Sequence, residues 1–224
     1  RILQALRQRQ PPRAGCGGQP RGLDLGQRGV QRQQGNAGHG VGQHHDHIVA
    51  VRAQGDGLRA WKDTDTNASN GRTYFLYDGG MLLAEMDASG SITAVNTWGA
   101  NGLLSRRVSS TTTYYVYDPQ GSVAARLNSS QTVVNSDLYD AYGSLLAGGA
   151  SDPYGYCGQW GYYKDSETGK VLCTFRYYDP SAGRWLTRDP IGYRGGINLY
   201  GYATGNSVNH IDPVGGRDYH LGTG

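Results

Sequence analysis

At 224 residues and a formal net charge of +3, the chain is long enough for one or two domains with a sizeable core. Gly (36) and Tyr (17) are abundant while Phe (2) and Met (2) are scarce, which argues for strands and tight turns rather than amphipathic helices. The charge is split. Residues 1–60 hold nine Arg, three Asp and no Lys or Glu, a balance of +6, whereas the remainder holds 12 Lys and Arg against 15 Asp and Glu, a balance of −3. The basic excess lies outside the part that reads as folded, which speaks against a nucleic-acid-binding role for that part. No run reaches transmembrane length, and no apolar stretch followed by a small-residue cleavage site marks a signal peptide.

Residues 1–60 lack Ser, Thr, Tyr, Phe, Trp, Met, Glu and Lys altogether. So restricted a vocabulary offers little apolar area to offset chain entropy, and the segment reads as a low-complexity basic leader, disordered or spurious. His44, His45, Asp46 and His47 form the metal-like cluster of this stretch. Consecutive ligands on a flexible chain seldom converge on one ion, so no metal and no cofactor are expected. The scattered Arg residues lack the aromatic interleaving of a single-strand nucleic-acid groove. Of the three cysteines, Cys16, Cys157 and Cys173, the last two could form a bridge in an oxidising compartment, but two buried thiols are favoured.

Residues 61–150 are organised by a repeat of about twenty residues. Tyr77-Asp78, Tyr117-Asp118 and Tyr139-Asp140 each open a unit, and Trp98-Gly99 stands in the Tyr-Asp place of a degenerate copy. The intervals are 21, 19 and 22 residues. Gly121 and Gly143 follow Asp118 and Asp140 by three places, and Gly102 keeps the same register. Asp accepts backbone hydrogen bonds at a turn and Gly supplies positive φ, so each unit reads as a β-hairpin. One hairpin cannot bury its own face, whereas stacked hairpins can. These Tyr and Asp residues are therefore read as scaffold.

The Tyr-Asp-x-x-Gly unit at this spacing resembles the YD repeat of bacterial Rhs proteins, toxin-complex C components and teneurins. In that family the repeats coil into a β-sheet spiral that closes a hollow shell. Residues 151–216 resemble the Rhs-associated core domain. Arg-Tyr-Tyr-Asp-Pro from Arg176, Gly-Arg-Trp-Leu from Gly183, Asp-Pro-Ile-Gly from Asp189, Asn-Leu-Tyr-Gly-Tyr from Asn198 and Asp-Pro-Val-Gly from Asp212 follow in family order. The resemblance covers roughly residues 74–216. It implies a mainly β fold, antiparallel hairpins forming a curved sheet that ends in a loop-rich cap. Edge strands would be exposed, with poor solubility or dependence on neighbouring repeats.

The resemblance also implies chemistry. In related toxins the core acts as an aspartic autoprotease that cuts just after the closing Asp-Pro-x-Gly block, leaving a variable toxin domain free inside the shell. Carried onto this sequence, the two acids are Asp189 and Asp212, the assisting basic residue is Arg176, and the cleavage region is Gly215, Gly216 and Arg217. Two neighbouring carboxyls can divide the work of general base and general acid, and Arg can keep one ionised or polarise the carbonyl. From the residues alone, Asp-Pro-x-Gly is also an ordinary turn signature, and neither type nor spacing singles out Asp189 and Asp212. Asp179-Pro180 reads as a structural turn. Tyr177, Tyr178, Trp185, Leu199, Tyr200 and Tyr202 read as packing residues, and Gly183, Gly192, Gly195 and Gly196 as turns.

Two departures bear on activity: Gly216 stands where the family has Leu, and residues 217–224 make a short tail rather than a toxin domain. The expected function is the C-terminal part of an Rhs-type polymorphic toxin shell, with self-cleavage as its enzymatic activity. The expected partners are upstream repeats, a C-terminal toxin domain and a secretion machinery that places it outside the cell or at its surface. The alternative is a non-catalytic structural or adhesive, carbohydrate-binding YD-repeat segment. Composition changes abruptly near Trp61, and residues 1–60 are read as an out-of-frame translation joined to a gene fragment. Tryptic peptides from residues 1–50 of the natural protein, sought by mass spectrometry, would overturn that reading.

Overall fold

The computed structural model describes residues 50–53, 57–64, 71–216 and 218–221. Nine strands follow one another as antiparallel neighbours in a single sheet. They are β1 (Ala50–Ala53), β2 (Arg59–Asp63), β3 (Arg72–Asp78), β4 (Met81–Met86), β5 (Ile92–Gly99), β6 (Gly102–Val108), β7 (Thr111–Tyr117), β8 (Val123–Leu127) and β9 (Val133–Ser136). A short hairpin follows, β10 (Leu138–Tyr139) with β11 (Leu145–Ala147). The loop-rich cap holds the four-stranded β12 (Tyr163–Lys164), β13 (Val171–Cys173), β14 (Arg176–Asp179) and β15 (Arg184–Trp185). It ends in the hairpin of β16 (His210–Ile211) and β17 (Tyr219–His220). The fold is thus the mainly β, hairpin-built sheet with a loop-rich cap that the sequence led us to expect. As expected of open edges, β9 at the end of the ladder leaves Val133 and Val134 exposed.

The sheet reaches back to Ala50, inside the stretch read as leader, so the change of vocabulary near Trp61 is not where strand pairing begins. Arg59, within this basic stretch, is buried at 4% exposure against a carboxylate more than a hundred residues away. Cys16 and the His44–His47 cluster lie outside the described residues. Cys157 and Cys173 are free and buried, and burial pushes both thiols up.

The repeat acquires a geometric meaning. Each repeat aromatic sits directly after a shift of strand register, between Leu76 and Tyr77, Thr97 and Trp98, Val116 and Tyr117, and Leu138 and Tyr139. The extra residue falls on the returning strand each time, at Leu83, Leu104, Ala124 and Leu146, so each aromatic keeps the alternation of its own strand and faces the core, as Tyr77 follows Phe75 and Tyr117 follows Tyr115. There the Trp98 indole donates to the Leu82 carbonyl at 2.8 Å and the Tyr117 hydroxyl to the Leu103 carbonyl at 2.7 Å. The Asp of the unit closes the following turn. Asp118 Oδ1 accepts from the Gln120 and Ser122 amides, and Asp140 Oδ1 from the Tyr142 and Ser144 amides. Asp87 and Asn128 make the same turn without a preceding Tyr. Asp78 instead enters a tight turn through Gly79 and Gly80.

The cap covers the sheet. Phe75, Leu82, Leu103, Tyr115 and Val123 pack with Tyr154, Tyr163 and Leu172 of the cap. Tyr154 is fully buried and meets Trp98, Tyr115 and Tyr163 edge to face. A second core of the cap gathers Tyr156, Tyr162, Tyr178, Trp185, Tyr202 and Ile211. The 3-10 turn Gly158–Trp160 lies on the sheet's turns because Gly121 gives way: a Cβ there would stand 2.2 Å from the Trp160 indole nitrogen, and its φ is +88°. The Gln159 amide donates to the Gly121 carbonyl at 3.0 Å across this contact.

An ion cluster ties the first strands to the cap. Arg59 Nη1 donates to both Asp165 oxygens at 2.9 and 2.7 Å, and Lys62 Nζ reaches Asp165 at 3.0 Å and Glu167 at 2.9 Å. Burial alone would raise the Asp165 carboxyl, but attraction by Arg59 and Lys62 outweighs it and the net direction is down. A lowered carboxyl stabilises the fold above the unfolded carboxylate value and loses that contribution as pH falls. Asp165→Asn is expected to cost about 3–5 kcal/mol in denaturant unfolding, because it leaves the buried Arg59 without its carboxylate and Lys62 with Glu167 alone. The parent should lose stability below roughly pH 4, and the variant should lose less over that range. Gly121→Ala should destabilise by about 1–3 kcal/mol in the same assay, through its left-handed φ and the Trp160 clash.

Candidate functional site

The hairpin from Cys173 to Arg176 turns through Thr174 in left-handed backbone, φ +51°. It delivers Arg176 to the first position of β14, where its guanidinium stacks on the Trp185 ring at 4.1 Å. The Thr174 hydroxyl donates to the Pro213 carbonyl at 3.0 Å, locking this hairpin to the closing Asp-Pro-Val-Gly turn. Gly215 fits beneath it because a Cβ would stand 3.0 Å from Arg176 Cβ and 3.1 Å from the Cys173 carbonyl, and its φ is +72°. The glycine of this motif is therefore required twice, by backbone conformation and by close approach.

Two Asp-Pro turns bring their carboxylates to one nitrogen. Arg176 Nη2 lies 3.2 Å from Asp189 Oδ2 and 3.1 Å from Asp212 Oδ2. Asp189 Oδ1 accepts from the Ile191 amide at 2.9 Å, and the Asp189 amide donates to the Leu199 carbonyl at 2.8 Å. Gly195 abuts this carboxylate: a Cβ there would stand 2.7 Å from Asp189 Oδ2. Asp212 is buried at 1% exposure, and its amide donates to the Tyr162 hydroxyl at 2.9 Å. Tyr162 in turn meets the Tyr202 hydroxyl at 2.9 Å, and burial pushes both phenols well up. Arg176 thus joins the two acids through a single nitrogen.

Asp212 sits at the foot of the β16–β17 hairpin, in which His210 faces His220 and Ile211 faces Tyr219. The connecting loop folds back so that the Gly216 amide donates to Asp212 Oδ1 at 2.9 Å. Gly215 and Gly216 therefore lie against the carboxylate, while Arg217 lies outside the described residues. An open cavity of about 830 Å³ adjoins the group, lined among others by Arg176, Asp189, Asp212 and Gly216. Two donors of Arg176, Nε and Nη1, are buried without a hydrogen-bond partner among the described residues. A guanidinium flanked by carboxylates, with open donors and a backbone loop at hand, can hold a peptide carbonyl and exchange protons around it.

Sequence reasoning missed two contributors. Trp185, read as packing, is also the platform that aims Arg176. Asp218 lines the same cavity, and its carboxyl is raised by burial and by the nearby Asp212 charge. Its one sequence signal is its place two residues after Gly216. Asp179 is the structural turn expected, with Oδ1 accepting from Ser181 and Oδ2 paired to Lys170 at 2.6 Å.

A sequence model of the Teneurin YD-shell family matches residues 87–206, more than half of the chain. The tRNA3(Ser)-specific nuclease WapA of Bacillus spizizenii is 32% identical over 194 residues, covering 76% of this chain and 8% of that protein. The double-stranded DNA deaminase toxin A of Burkholderia cenocepacia is 36% identical over 113 residues, covering 47% of this chain and 8% of that protein. Among solved structures, TcdB2-TccC3 without its hypervariable C-terminal region aligns with a TM-score of 0.59 at 25% identity, over 75% of this chain and 9% of that one. The chain thus spans less than a tenth of the length of these relatives. With its bulged Tyr-Asp hairpins and the aromatic cap that covers them, the chain belongs to the Teneurin YD-shell family, as part of an Rhs/YD-repeat shell of the kind found in polymorphic toxins.

Proposed function

We propose that this chain is the closing end of a shell that encloses a C-terminal toxin domain and releases it by cutting itself between Gly216 and Arg217. The observation that carries the reading is the Gly216 amide held 2.9 Å from the carboxylate of Asp212, which shares a guanidinium nitrogen with Asp189. Two relatives, a tRNA nuclease and a DNA deaminase toxin, support a toxic cargo in proteins of this kind. In this reading residues 61–150 are shell repeats and 151–216 the core that cuts. Upstream repeats complete the enclosure, and a secretion machinery carries the assembly out of the cell.

The step is a hydrolysis. One carboxylate takes a proton from water as its oxygen bonds to the Gly216 carbonyl carbon. The Arg176 guanidinium charge stabilises the oxyanion. The other carboxyl, protonated, gives its proton to the Arg217 nitrogen as the C–N bond breaks. The products are a Gly216 carboxyl and an Arg217 amine. Gly216 in place of Leu removes a side chain that could anchor the bond, so binding of the loop rests on the backbone contact to Asp212.

A second reading rests on a specific observation: a buried Arg paired to two carboxylates also serves as a structural tie between the two Asp-Pro turns. The two readings part in one experiment. The chain is expressed with upstream YD repeats and a reporter domain after Gly224, and the cut is followed on denaturing gels with its position fixed by mass spectrometry. Autocleavage expects a new amino terminus at Arg217, slowed at least about 100-fold in Asp189→Asn and Asp212→Asn while both still unfold cooperatively. An intact parent, or a cut that persists in both variants, leaves the structural tie. Arg176→Met should abolish the cut and also cost about 3–5 kcal/mol in unfolding free energy, since it strands two neighbouring carboxylates.

A further inference from the structure

Asp212 is held from two sides. Its carboxylate takes the Gly216 amide at 2.9 Å and Arg176 Nη2 at 3.1 Å, and its own amide donates to the Tyr162 hydroxyl at 2.9 Å. This second hold comes from far along the chain, since Tyr162 stands 50 residues earlier, just before β12. Behind it the hydroxyls form a chain. Those of Tyr162 and Tyr202 share a hydrogen bond of 2.9 Å, and that of Tyr156 lies 3.5 Å from Tyr202. The Tyr156 hydroxyl also donates to the Ala141 carbonyl at 3.1 Å. Ala141 belongs to the turn that Asp140 closes after Tyr139. Gln120 lies in the turn that Asp118 closes after Tyr117. Its Nε2 donates to the Tyr156 hydroxyl at 3.2 Å and to the Ser207 carbonyl. The chain thus runs from the Asp212 amide to the turns of two successive YD repeats. Its three phenols are buried, and burial pushes each of them up, so each keeps the single proton it can donate.

We propose that Tyr162 is a positioning residue for the cut, fixing the Asp212 main chain through its amide, and that the hydroxyl chain behind it makes this hold depend on the seating of those two YD-repeat turns. The role deepens the autocleavage reading and rests on it. Asp212 must keep its carboxylate against the Gly216 loop, and a misplacement of about 1 Å costs rate steeply. Removing the Tyr162 oxygen leaves the Asp212 amide buried without its acceptor, so the turn shifts to find another. Removing the Tyr202 or Tyr156 oxygen spares that contact but loosens the chain that steadies it, because linked hydroxyls strengthen one another. The cap then cuts at its full rate only when both hairpins are in place. Tyr178 supplies the contrast. It is equally buried, and its hydroxyl donates to the Tyr142 carbonyl at 2.7 Å, so its bond reaches the same repeat turn without passing through the Asp212 amide.

The same reporter fusion, with its upstream repeats, gives the test. The first-order rate of the cut and the denaturant unfolding are measured for the parent and for Tyr162→Phe, Tyr202→Phe, Tyr156→Phe, Tyr178→Phe and Asp212→Asn. Tyr162→Phe should cut about tenfold more slowly, and Tyr202→Phe and Tyr156→Phe about threefold. Tyr178→Phe should cut at the parent rate while losing as much stability as Tyr162→Phe, a split that a merely structural role would not produce. In the uncut Asp189→Asn fusion, hydrogen–deuterium exchange followed by mass spectrometry should show the peptide carrying Asp212 losing protection in Tyr162→Phe and keeping it in Tyr178→Phe. If the parent cuts in an Asp212-dependent manner but Tyr162→Phe cuts equally fast, or Tyr178→Phe is slowed as much, the role of Tyr162 is overturned and autocleavage stands. Unchanged protection of Asp212 in Tyr162→Phe overturns the hold in the same way. Parent rates in both Tyr202→Phe and Tyr156→Phe overturn the dependence on the repeat turns. A parent that never cuts, or that cuts as well without Asp212, removes autocleavage and this role together.

Discussion

The structure depends on buried guanidiniums that must each find a carboxylate. Arg59 meets Asp165, Arg106 meets Glu85, Arg126 meets Asp137, and Arg176 meets Asp189 and Asp212. A buried cation without its partner is costly, and the partner must arrive with good geometry. Three of these arginines also lie over aromatic rings: Arg59 over Phe75 and Tyr163, Arg106 over Tyr154, and Arg176 over Trp185. The recurring unit is thus a cation held between a ring and a carboxylate. It lets a sheet with few Leu, Ile and Phe residues be covered without an ordinary hydrocarbon core.

This constraint explains how sheet and cap are fitted together. The Arg59–Asp165 pair joins β2 to the cap over a separation of 106 residues, and Arg106 and Arg126 are held within the sheet and its edge. Tyrosine rings fill the space between, and their hydroxyls find carbonyls or carboxylates, as Tyr117 does at Leu103 and Tyr115 at Asp152. That is why Tyr outnumbers Phe so heavily: a ring packed in a polar, strand-built interior needs a hydrogen-bonding end. The arrangement is periodic because a bulge on the returning strand recurs opposite each repeat aromatic, while strand alternation points one ring inward per unit.

The candidate site is the same device with one carboxylate too many. Arg176 carries two acids where Arg106 and Arg126 each carry one, and its hairpin is tied to the loop that holds Gly216. A structural ion pair becomes a place for chemistry when an extra titratable group, open donors and a reactive backbone segment meet at it. Asp218 adds a third acid from the outgoing limb of the hairpin.

The sequence by itself determined the local grammar. Tyr-Asp-x-x-Gly spacing specified hairpins, because Asp closes the turn with its own carboxylate and Gly accepts positive φ, and both are properties of a few adjacent residues. The resemblance of the cap's ordered blocks supplied Asp189, Asp212 and Arg176; turn chemistry could not have done so, since an Asp-Pro-x-Gly turn looks alike whether or not it faces a partner. Only the tertiary structure decided that one nitrogen of Arg176 meets both acids, that Gly215 is small because Arg176 and Cys173 press on it, and that Asp218 opens onto the same cavity. It also places the start of the sheet at Ala50, where β1 pairs with β2. The physical reason is common to these cases. Charge compensation acts between residues brought together by folding: Arg59 and Asp165 lie 106 residues apart and Arg176 and Asp212 lie 36 apart.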